Sequence, residues 1–271
     1  MFEAYGRNKY VATGVIQWML NNAWPSTIWH LYDYYLVPGG GYFGTKKAQE
    51  IIHVQYDFNS NSVSVLNGNY APLKSLRVSA KLINIDAKEA ATQDAAIDVD
   101  PDAAVKAFDL PKPANLSTTY FLKLQLHDAA GKLLSDNFYW LSTKPDTMDW
   151  ANKKDTVYTP QKEFGDLTGL NSLPQVTLEV KAEHYDAGKG TLRLKIKNPG
   201  PALAFQVHLR LANSKSNDDI VPIFWDDNYF SLLPGEEKSL SATYAPSDAG
   251  GTAPTLEIDG FNIVSQALKL H

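Results

Sequence analysis

The residues best suited to hold a small ligand are aromatic and lie close together near the start of the chain. Between Gly14 and Gly44 the sequence contains three tryptophans, four tyrosines and the triple glycine Gly39–Gly41. Tryptophan and tyrosine combine a flat apolar ring with a polar group, so they can build either a protein core or the wall of a binding site. Both interpretations stay open until the elements that carry these rings are considered.

Residues of other types are weaker candidates for a catalytic or ligand-binding role. The carboxylates Glu3, Asp33 and Glu50 are not spaced to converge on one pocket, so we interpret them as structural or solvated, with Asp33 the best candidate. The six histidines show no HxxxH or HxH spacing, which predicts solvated surface residues and no metal site. No serine lies in a GxSxG motif. Gly39–Gly41 lacks the GKS/T pattern of a phosphate loop, so a loop that allows close approach to a ligand is favoured.

Composition excludes several classes of partner. The 271 residues are 44% hydrophobic, enough for two compact domains or one large one. A net charge of -5 provides no basic field for nucleic acid or an anionic membrane, and no apolar run approaches the about 20 residues of a membrane span. Cysteine is absent, which excludes disulfides and thiolate metal sites. MFEAYGRNKY has no apolar signal-peptide core, so we expect a cytoplasmic chain or one whose natural N-terminus is absent.

A strand and a helix are predicted to carry the aromatic stretch. Gly14–Leu20, GVIQWML, has few polar breaks, which is typical of a strand buried on both faces of a parallel sheet. Thr27–Leu36 is compatible with a helix or an extended segment, and Tyr42–Glu50 favours a helix. About 50 residues of this kind cannot bury a core alone, so they must pack against further chain.

From His53 onward the hydrophobic period is two, with turn residues between the runs. A hairpin is predicted in TYFLKLQLHDAAGKLLSDNFYWLS, with one face in the core and the other in solvent. Lys144–Ser172 lacks this alternation and is interpreted as a connecting segment with one helical turn near Asp146–Lys153. About seven further strands, separated by turns such as Asn198–Pro201, predict an antiparallel sandwich of immunoglobulin-like architecture. The core face of the hairpin comprises Tyr120, Leu122, Leu124 and Leu126.

Two acids, an amide and several aromatic rings are concentrated in FWDDNYF, Phe224–Phe230. An auxiliary sugar-binding edge and a calcium site are both compatible with this composition. A loop that caps an interface between domains is the favoured interpretation.

Several motifs resemble family 2 glycoside hydrolases, most closely the exo-β-D-glucosaminidase branch and its β-mannosidase relatives. FEAYGRNKY, TGVIQWMLNNAWPSTIWHLYDYYL and GGGYFGTKKAQE resemble the last strand, loop and helix of the catalytic (β/α)8 barrel. LPQVTLEV, KNPGPALAFQVHLRL, PIFWDDNYFSLLPGEEKSL and TLEIDGFNI resemble the C-terminal immunoglobulin-like domain of that branch. The resemblance implies a mainly β chain, with a barrel remnant over residues 1–50, a sandwich over 51–144, a connecting segment over 145–172 and a second sandwich over 173–271.

The implied activity is that of a retaining exo-β-glycosidase acting on β-linked glucosaminides of chitosan type. A β-mannosidase acting on mannoside oligosaccharides is one alternative, and a non-catalytic carbohydrate-binding or scaffold module is another. Retaining enzymes use two carboxylates, which the family carries on earlier barrel strands, so no catalytic residue, metal or cofactor is expected in this chain. The implied partners are the missing barrel and sugar-binding domains, and a secreted or periplasmic parent enzyme is favoured.

The resemblance also implies residues that bind substrate. Trp18 would form the floor under a pyranose ring, whose C–H face packs on aromatic surface. Asn21, Asn22 and Trp24 follow in the loop, where the amides could bond sugar hydroxyls or the substrate amine, and Tyr42 would lie at the rim. Core and turn roles remain the alternatives. Packing is the favoured role for Trp29, His30, Tyr32, Tyr34 and Tyr35.

Overall fold

The protein is described by a computed structural model that covers residues 1–26, 28–152 and 159–270. Two compact units are present, one formed by Met1–Gly14 with Ala48–Leu173 and the other by Val15–Lys47 with Pro174–His271. Both are built mainly from β-strands. In the described part of the chain, no helix has the length and apolar character that crossing a membrane requires.

The first unit is a sandwich of two antiparallel sheets with a short helix and a small ribbon. The sheet orders are β1–β2–β5 and β4–β3–β6–β7, and β8 pairs with β9 in the ribbon. Short 3-10 helices cover Trp150–Asn152 and Thr168–Ser172. The remaining elements are α1 (Phe2–Arg7), β1 (Ile52–Asp57), β2 (Ser62–Asn67), β3 (Leu73–Asn84), β4 (Glu89–Val99), β5 (Ala103–Asp109), β6 (Thr119–His127), β7 (Leu133–Ser142), β8 (Thr147–Met148) and β9 (Gln161–Glu163).

The predicted hairpin is confirmed, since β6 pairs with β7 over its whole length. Leu122, Leu124 and Leu126 are fully buried and meet Val54 and other side chains of the opposite sheet, because alternate residues of a strand point to the same face. The expectation of a solvated second face is wrong at one position. Phe121 points away from the core yet is fully buried, and its ring stacks on Phe138 with centroids 5.6 Å apart.

The second unit is also a sandwich, with sheet orders β10–β11–β15–β13 and β14–β12–β16–β17. Eight strands form the described part of this unit, where about seven were expected. One buried cluster contains residues from both sheets, among them Leu194, Leu209 and Leu256. A 3-10 helix covers Pro246–Ala249. The elements are α2 (Gly40–Ala48), β10 (Glu179–Asp186), β11 (Thr191–Lys197), β12 (Ala204–Asn213), β13 (Ile223–Trp225), β14 (Phe230–Leu232), β15 (Glu237–Tyr244), β16 (Pro254–Asp259) and β17 (Gln266–Lys269).

The segment with most of the aromatic residues differs from its prediction. Gly14–Leu20 is irregular, so the predicted strand is wrong. A strand needs a neighbour with which to exchange backbone hydrogen bonds, and among the described residues no strand pairs with this segment. Residues 28–36 form no helix, and Thr27 lies outside the described residues. The helix predicted over Tyr42–Glu50 is confirmed, although α2 begins at Gly40 and ends at Ala48.

The described part of Lys144–Ser172 contains the β8–β9 ribbon and two short 3-10 helices, and it belongs to the first unit. The 3-10 helix Trp150–Asn152 supplies the helical turn that was expected near Asp146–Lys153. Lys153 itself lies outside the described residues.

Each sandwich uses one buried asparagine to tie its two sheets together. Asn67 ends β2, and its Nδ2 donates to the carbonyl of Ala71 (2.9 Å) and to that of Asp100 (3.0 Å), just after β4. Asn198 follows β11, and its Nδ2 donates to the carbonyl of Ala202 (2.8 Å) and to that of Leu232 (2.9 Å) in β14. Both side chains are fully buried. A buried asparagine side chain therefore links opposite sheets in both units.

Replacing either asparagine should destabilise the unit that contains it. Asn67→Ala and Asn198→Ala would each remove the buried amide that joins the two sheets, so we expect a loss of about 2–4 kcal/mol in the free energy of unfolding, measured by urea titration with circular dichroism. Asn59→Ala is the matched control at an exposed position and should change the stability by less than about 0.5 kcal/mol. Equal losses of stability in Asn198→Ala and Asn59→Ala would contradict the proposed role of the buried asparagine in linking the two sheets.

Candidate functional site

The aromatic segment that precedes α2 exposes its largest side chains. Trp18 is 69% exposed, and its backbone carbonyl accepts a hydrogen bond from the Trp29 indole N–H. Gln17 donates from Nε2 to the Trp29 carbonyl (3.0 Å), and the Trp18–Met19 peptide is cis. Trp18 and Trp29 are thus held together by polar contacts while much of their ring surface faces solvent. Such exposed apolar area is typical of a surface that contacts a ligand or another chain.

The loop residues of the predicted site have mixed environments. Asn22 is 8% exposed, and its Nδ2 donates to the carbonyl of Ser26 (2.5 Å), so its amide closes the turn. Asn21 is half-buried and donates to the carbonyl of Asn22 (3.3 Å). Trp24 is 68% exposed. The turn role weighed for these asparagines is present, and the Trp24 ring remains accessible.

Tyr42 occupies the first turn of α2 and packs against other rings. Its centroid lies 5.2 Å from that of Tyr32 and 5.1 Å from that of Phe43. Phe43 is buried in the core of the second sandwich, beside Tyr229. Lys46 adds hydrogen bonds from Nζ to the carbonyls of residues 225 and 226 (2.8 and 2.9 Å). Helix α2 therefore anchors the aromatic segment to this sandwich.

Packing was the favoured role for five neighbouring aromatic residues, and the structure supports it for only part of the set. Tyr32 contacts Tyr42, and His30 is half-buried. The others are exposed because no described part of this unit covers them: Trp29 (64%), Tyr34 (44%) and Tyr35 (62%).

Two of the candidate carboxylates meet at one histidine in the first unit. Glu3 of α1 accepts hydrogen bonds from Tyr139 (2.7 Å) and Asn137 (2.7 Å), and its Oε1 lies 3.0 Å from His53 Nε2. The other ring nitrogen, Nδ1, lies 3.4 Å from Glu50 Oε2. A histidine that faces carboxylates on both sides is best satisfied as the imidazolium, which donates from both nitrogens.

Burial and hydrogen bonding oppose each other in this network. Burial would lower the pKa of His53, but hydrogen bonds to Glu3 and Glu50 outweigh it and raise the pKa above its ordinary value of 6.5. Burial would raise the pKa of Glu3, but hydrogen bonds from His53 and Tyr139 lower it below 4.5. The charged forms of acid and base stabilise each other.

This arrangement fits a structural role better than catalysis. The two carboxylates of a retaining glycosidase flank the scissile bond, whereas the imidazole of His53 occupies the space between Glu3 and Glu50. Arg7 of α1 also pairs with Asp57 of β1 (2.9 Å). A Cβ on Gly6 would lie only 2.6 Å from Leu66 Cδ2, so the helix approaches the sheet closely.

The interpretation of every histidine as a solvated surface residue is wrong for His53, which is fully buried. The alternation in β1 places Val54 and Tyr56 in the core and His53 on the opposite face. Helix α1 supplies Glu3 to that face. Glu3 and His53 lie 50 residues apart in the sequence, so only the folded structure places them in contact. Among the described residues, no group of His, Asp or Glu side chains is arranged to hold a metal ion.

Comparison with known proteins finds one matching family model for each of the two sandwiches. Residues 60–144 match the family model described as a mannosidase Ig/CBM-like domain, and residues 156–263 match the exo-beta-D-glucosaminidase Ig-fold domain. An exo-beta-D-glucosaminidase of Streptomyces avermitilis is 41% identical over 98% of this chain and 30% of its own length. The chain is homologous to part of the exo-β-D-glucosaminidases.

Solved structures of the exo-β-D-glucosaminidase branch agree with this assignment. The Amycolatopsis orientalis exo-chitosanase CsxA is 36% identical and superposes with a TM-score of 0.91, over 99% of this chain and 33% of that one. A β-D-mannosidase from Dictyoglomus thermophilum, 18% identical over 97% of this chain and 28% of that one, shares the fold with a TM-score of 0.64. The chain spans less than a third of the length of the curated relatives from Streptomyces avermitilis and Amycolatopsis orientalis.

The contacts of His53 predict how stability depends on pH. The stabilisation from its raised pKa is fully present below about pH 6.5 and is lost as the pH rises through the folded-state pKa. The stabilisation from Glu3 is present above about pH 4.5 and is lost as the pH falls through its lowered pKa. The thermal unfolding midpoint of the first unit should therefore be highest between these limits, measured by calorimetry across pH 3–9.

His53→Gln removes the titrating group, so the fall in the midpoint on the alkaline side should flatten. The control is His127→Gln in the same unit, which should preserve the alkaline fall. An unchanged alkaline fall in His53→Gln would show that another group causes it.

Proposed function

We propose that this chain is part of a retaining exo-β-glycosidase that hydrolyses β-linked glucosaminides of chitosan type. The observation that carries the proposal is the 41% identity to an exo-beta-D-glucosaminidase across 98% of the chain. Complexes of two CsxA variants, each with one acid replaced by alanine, contain PNP-β-D-glucosamine, which supports an amino sugar as the substrate class.

In this proposal, residues 1–50 complete the catalytic barrel of the parent enzyme. Residues 51–144 and 173–271 are its immunoglobulin-like sandwiches, joined by the connecting segment 145–172. The exposed apolar side chains of residues 16–36 support an origin in a larger assembly, because apolar surface of this extent is normally covered.

The proposed sugar-binding residues are Trp18, Asn21, Asn22, Trp24 and Tyr42. The exposure of Trp18 and Trp24 supports their availability to a sugar ring, whose apolar face packs on aromatic surface. Both catalytic carboxylates are proposed to lie outside this chain. The burial of His53 between Glu3 and Glu50 supports this, because it leaves those two acids no room for a substrate.

A β-mannosidase of the same family is the second candidate. The observation in its favour is the fold shared with the Dictyoglomus enzyme, together with 21% identity to a mannosylglycoprotein endo-beta-mannosidase of Lilium longiflorum. The glucosaminidase relatives are more similar, so that function ranks first.

The test is a chimera in which this chain replaces the matching third of the Amycolatopsis orientalis enzyme. We expect the chimera to hydrolyse p-nitrophenyl β-D-glucosaminide and the chain alone to give no turnover. Turnover by the chain alone would contradict the proposal that its carboxylates are not catalytic. Faster hydrolysis of the β-mannoside by the chimera would favour the second candidate.

Trp18→Ala in the chimera should lower kcat/KM by roughly 10- to 100-fold, because truncating an aromatic side chain at a binding hot spot costs on the order of 2 kcal/mol or more. Trp150→Ala is the matched control, since Trp150 is exposed to the same degree as Trp18 (68% and 69%) but lies in the connecting segment. Equal activity of the two variants would remove Trp18 from the site.

A further inference from the structure

The second unit contains a cavity of about 240 Å³ that the proposed function does not use. Asp33 and Val37 line one side, and His208 and Arg210 of β12 line another, together with residues of the Phe224–Phe230 stretch. Pockets for drug-sized ligands usually measure about 300–1,000 Å³. This volume therefore suits a smaller molecule, of the size of a single sugar ring.

The charge around this cavity is negative. Arg210 is held by Asp219 (2.8 Å) and Glu257 (2.6 Å), so its positive charge is shared between two carboxylates. Asp259 lies 2.9 Å from His208 Nδ1. Asp33 adds a further carboxylate on the loop side, where its Oδ1 accepts a hydrogen bond from the Val37 amide (2.9 Å). The two carboxylates that line the cavity itself, Asp33 and Asp219, outnumber the guanidinium of Arg210, which favours a cationic ligand.

The electrostatic effect of these acids reaches one side chain in the cavity wall. Burial, followed by the charges of Asp259, Asp33 and Asp219, raises the pKa of Tyr229. The ring of Tyr229 is fixed, because the imidazole of His208 stacks on it with centroids 4.7 Å apart and planes inclined by 25°. The three carboxylates therefore act on one rigid wall of the cavity.

Two hydrogen-bond donors of the wall have no partner among the described residues. Trp225 lines the cavity and is 97% buried, yet its indole N–H donates to no acceptor in residues 1–26, 28–152 and 159–270. Within the same ranges, the Tyr229 hydroxyl makes no hydrogen bond either. Both donors are therefore available to a hydroxyl group of a ligand in the cavity.

We propose that this cavity binds a glucosamine unit with a free, protonated amine. The amine pairs with the carboxylates of Asp33 and Asp219, and ring hydroxyls accept hydrogen bonds from Trp225 and Tyr229. The choice of an amino sugar over other small cations rests on the proposed function. Since no group of His, Asp or Glu side chains among the described residues is arranged to hold a metal ion, a metal ion is not the ligand we favour.

The test is an NMR titration of the whole 271-residue chain with a fully deacetylated glucosamine tetramer at pH 6, below the pKa of the amine. The N-acetylated tetramer and Nα-acetyl-lysine amide are titrated in parallel. We expect the glucosamine tetramer to bind at least roughly tenfold more tightly than the neutral tetramer, because only the charged amine can form a charge-assisted hydrogen bond with the carboxylates. It should also bind more tightly than the lysine derivative, which offers an amine without ring hydroxyls.

Asp33→Asn should weaken binding of the glucosamine tetramer roughly tenfold, because it removes the charge and keeps the oxygen that accepts the Val37 amide. Asp128→Asn is the matched control: Asp128 also accepts a backbone amide four residues later (2.9 Å), but it lies in the other unit. Asp128→Asn should bind like the unaltered chain. Asp219→Asn should weaken binding as well, with thermal unfolding measured to confirm that the variant is folded.

Three results would overturn the inference: equal affinity for the charged and neutral tetramers, an unchanged affinity in Asp33→Asn, or shifts that map to the first sandwich. None depends on catalysis. A chimera that hydrolyses glucosaminides while this chain binds no amino sugar would leave the proposed function standing and remove the cavity site.

Discussion

The need of each backbone polar group for a hydrogen-bond partner governs which parts of this chain become strands. In the sandwiches, each strand pairs with at least one antiparallel neighbour, and the pairing brings Leu122 and Leu194 into separate cores. Gly14–Leu20 has an equally apolar sequence but no pairing strand among the described residues, and it stays irregular. A hydrophobic segment therefore does not form a strand unless a neighbouring strand is available for backbone hydrogen bonds.

The same requirement shapes the polar interior. Asn67 and Asn198 donate hydrogen bonds to backbone carbonyl oxygens, and each links opposite sheets of its sandwich. At the other polar site, Glu3 and Glu50 compensate the burial of His53. Buried polar groups persist in these places because their partners are complete, and an incomplete set would cost more than an apolar replacement.

The aromatic segment shows how a binding surface differs from a core built of the same residues. Phe43 of α2 enters the core of the second sandwich, while Trp18 and Trp24 face solvent. Helix α2 fixes the segment through Phe43 and through the Lys46 hydrogen bonds. An anchored segment with exposed rings agrees with the proposal that a longer enzyme covers or uses this surface.

The sequence by itself determined the mainly β class, the β6–β7 hairpin and the helix after the glycines, because period-two alternation and turn residues are local signals. Its motifs also indicated the relationship to exo-β-D-glucosaminidases, since they occur along the chain in the order expected for those enzymes. It did not predict that Glu3 meets His53, that Asp33 lies at a cavity with Asp219, or that Gly14–Leu20 lacks a strand partner. These features depend on residues about 50 or more positions apart, or on the presence of a pairing strand, and only tertiary structure decides which distant groups become neighbours.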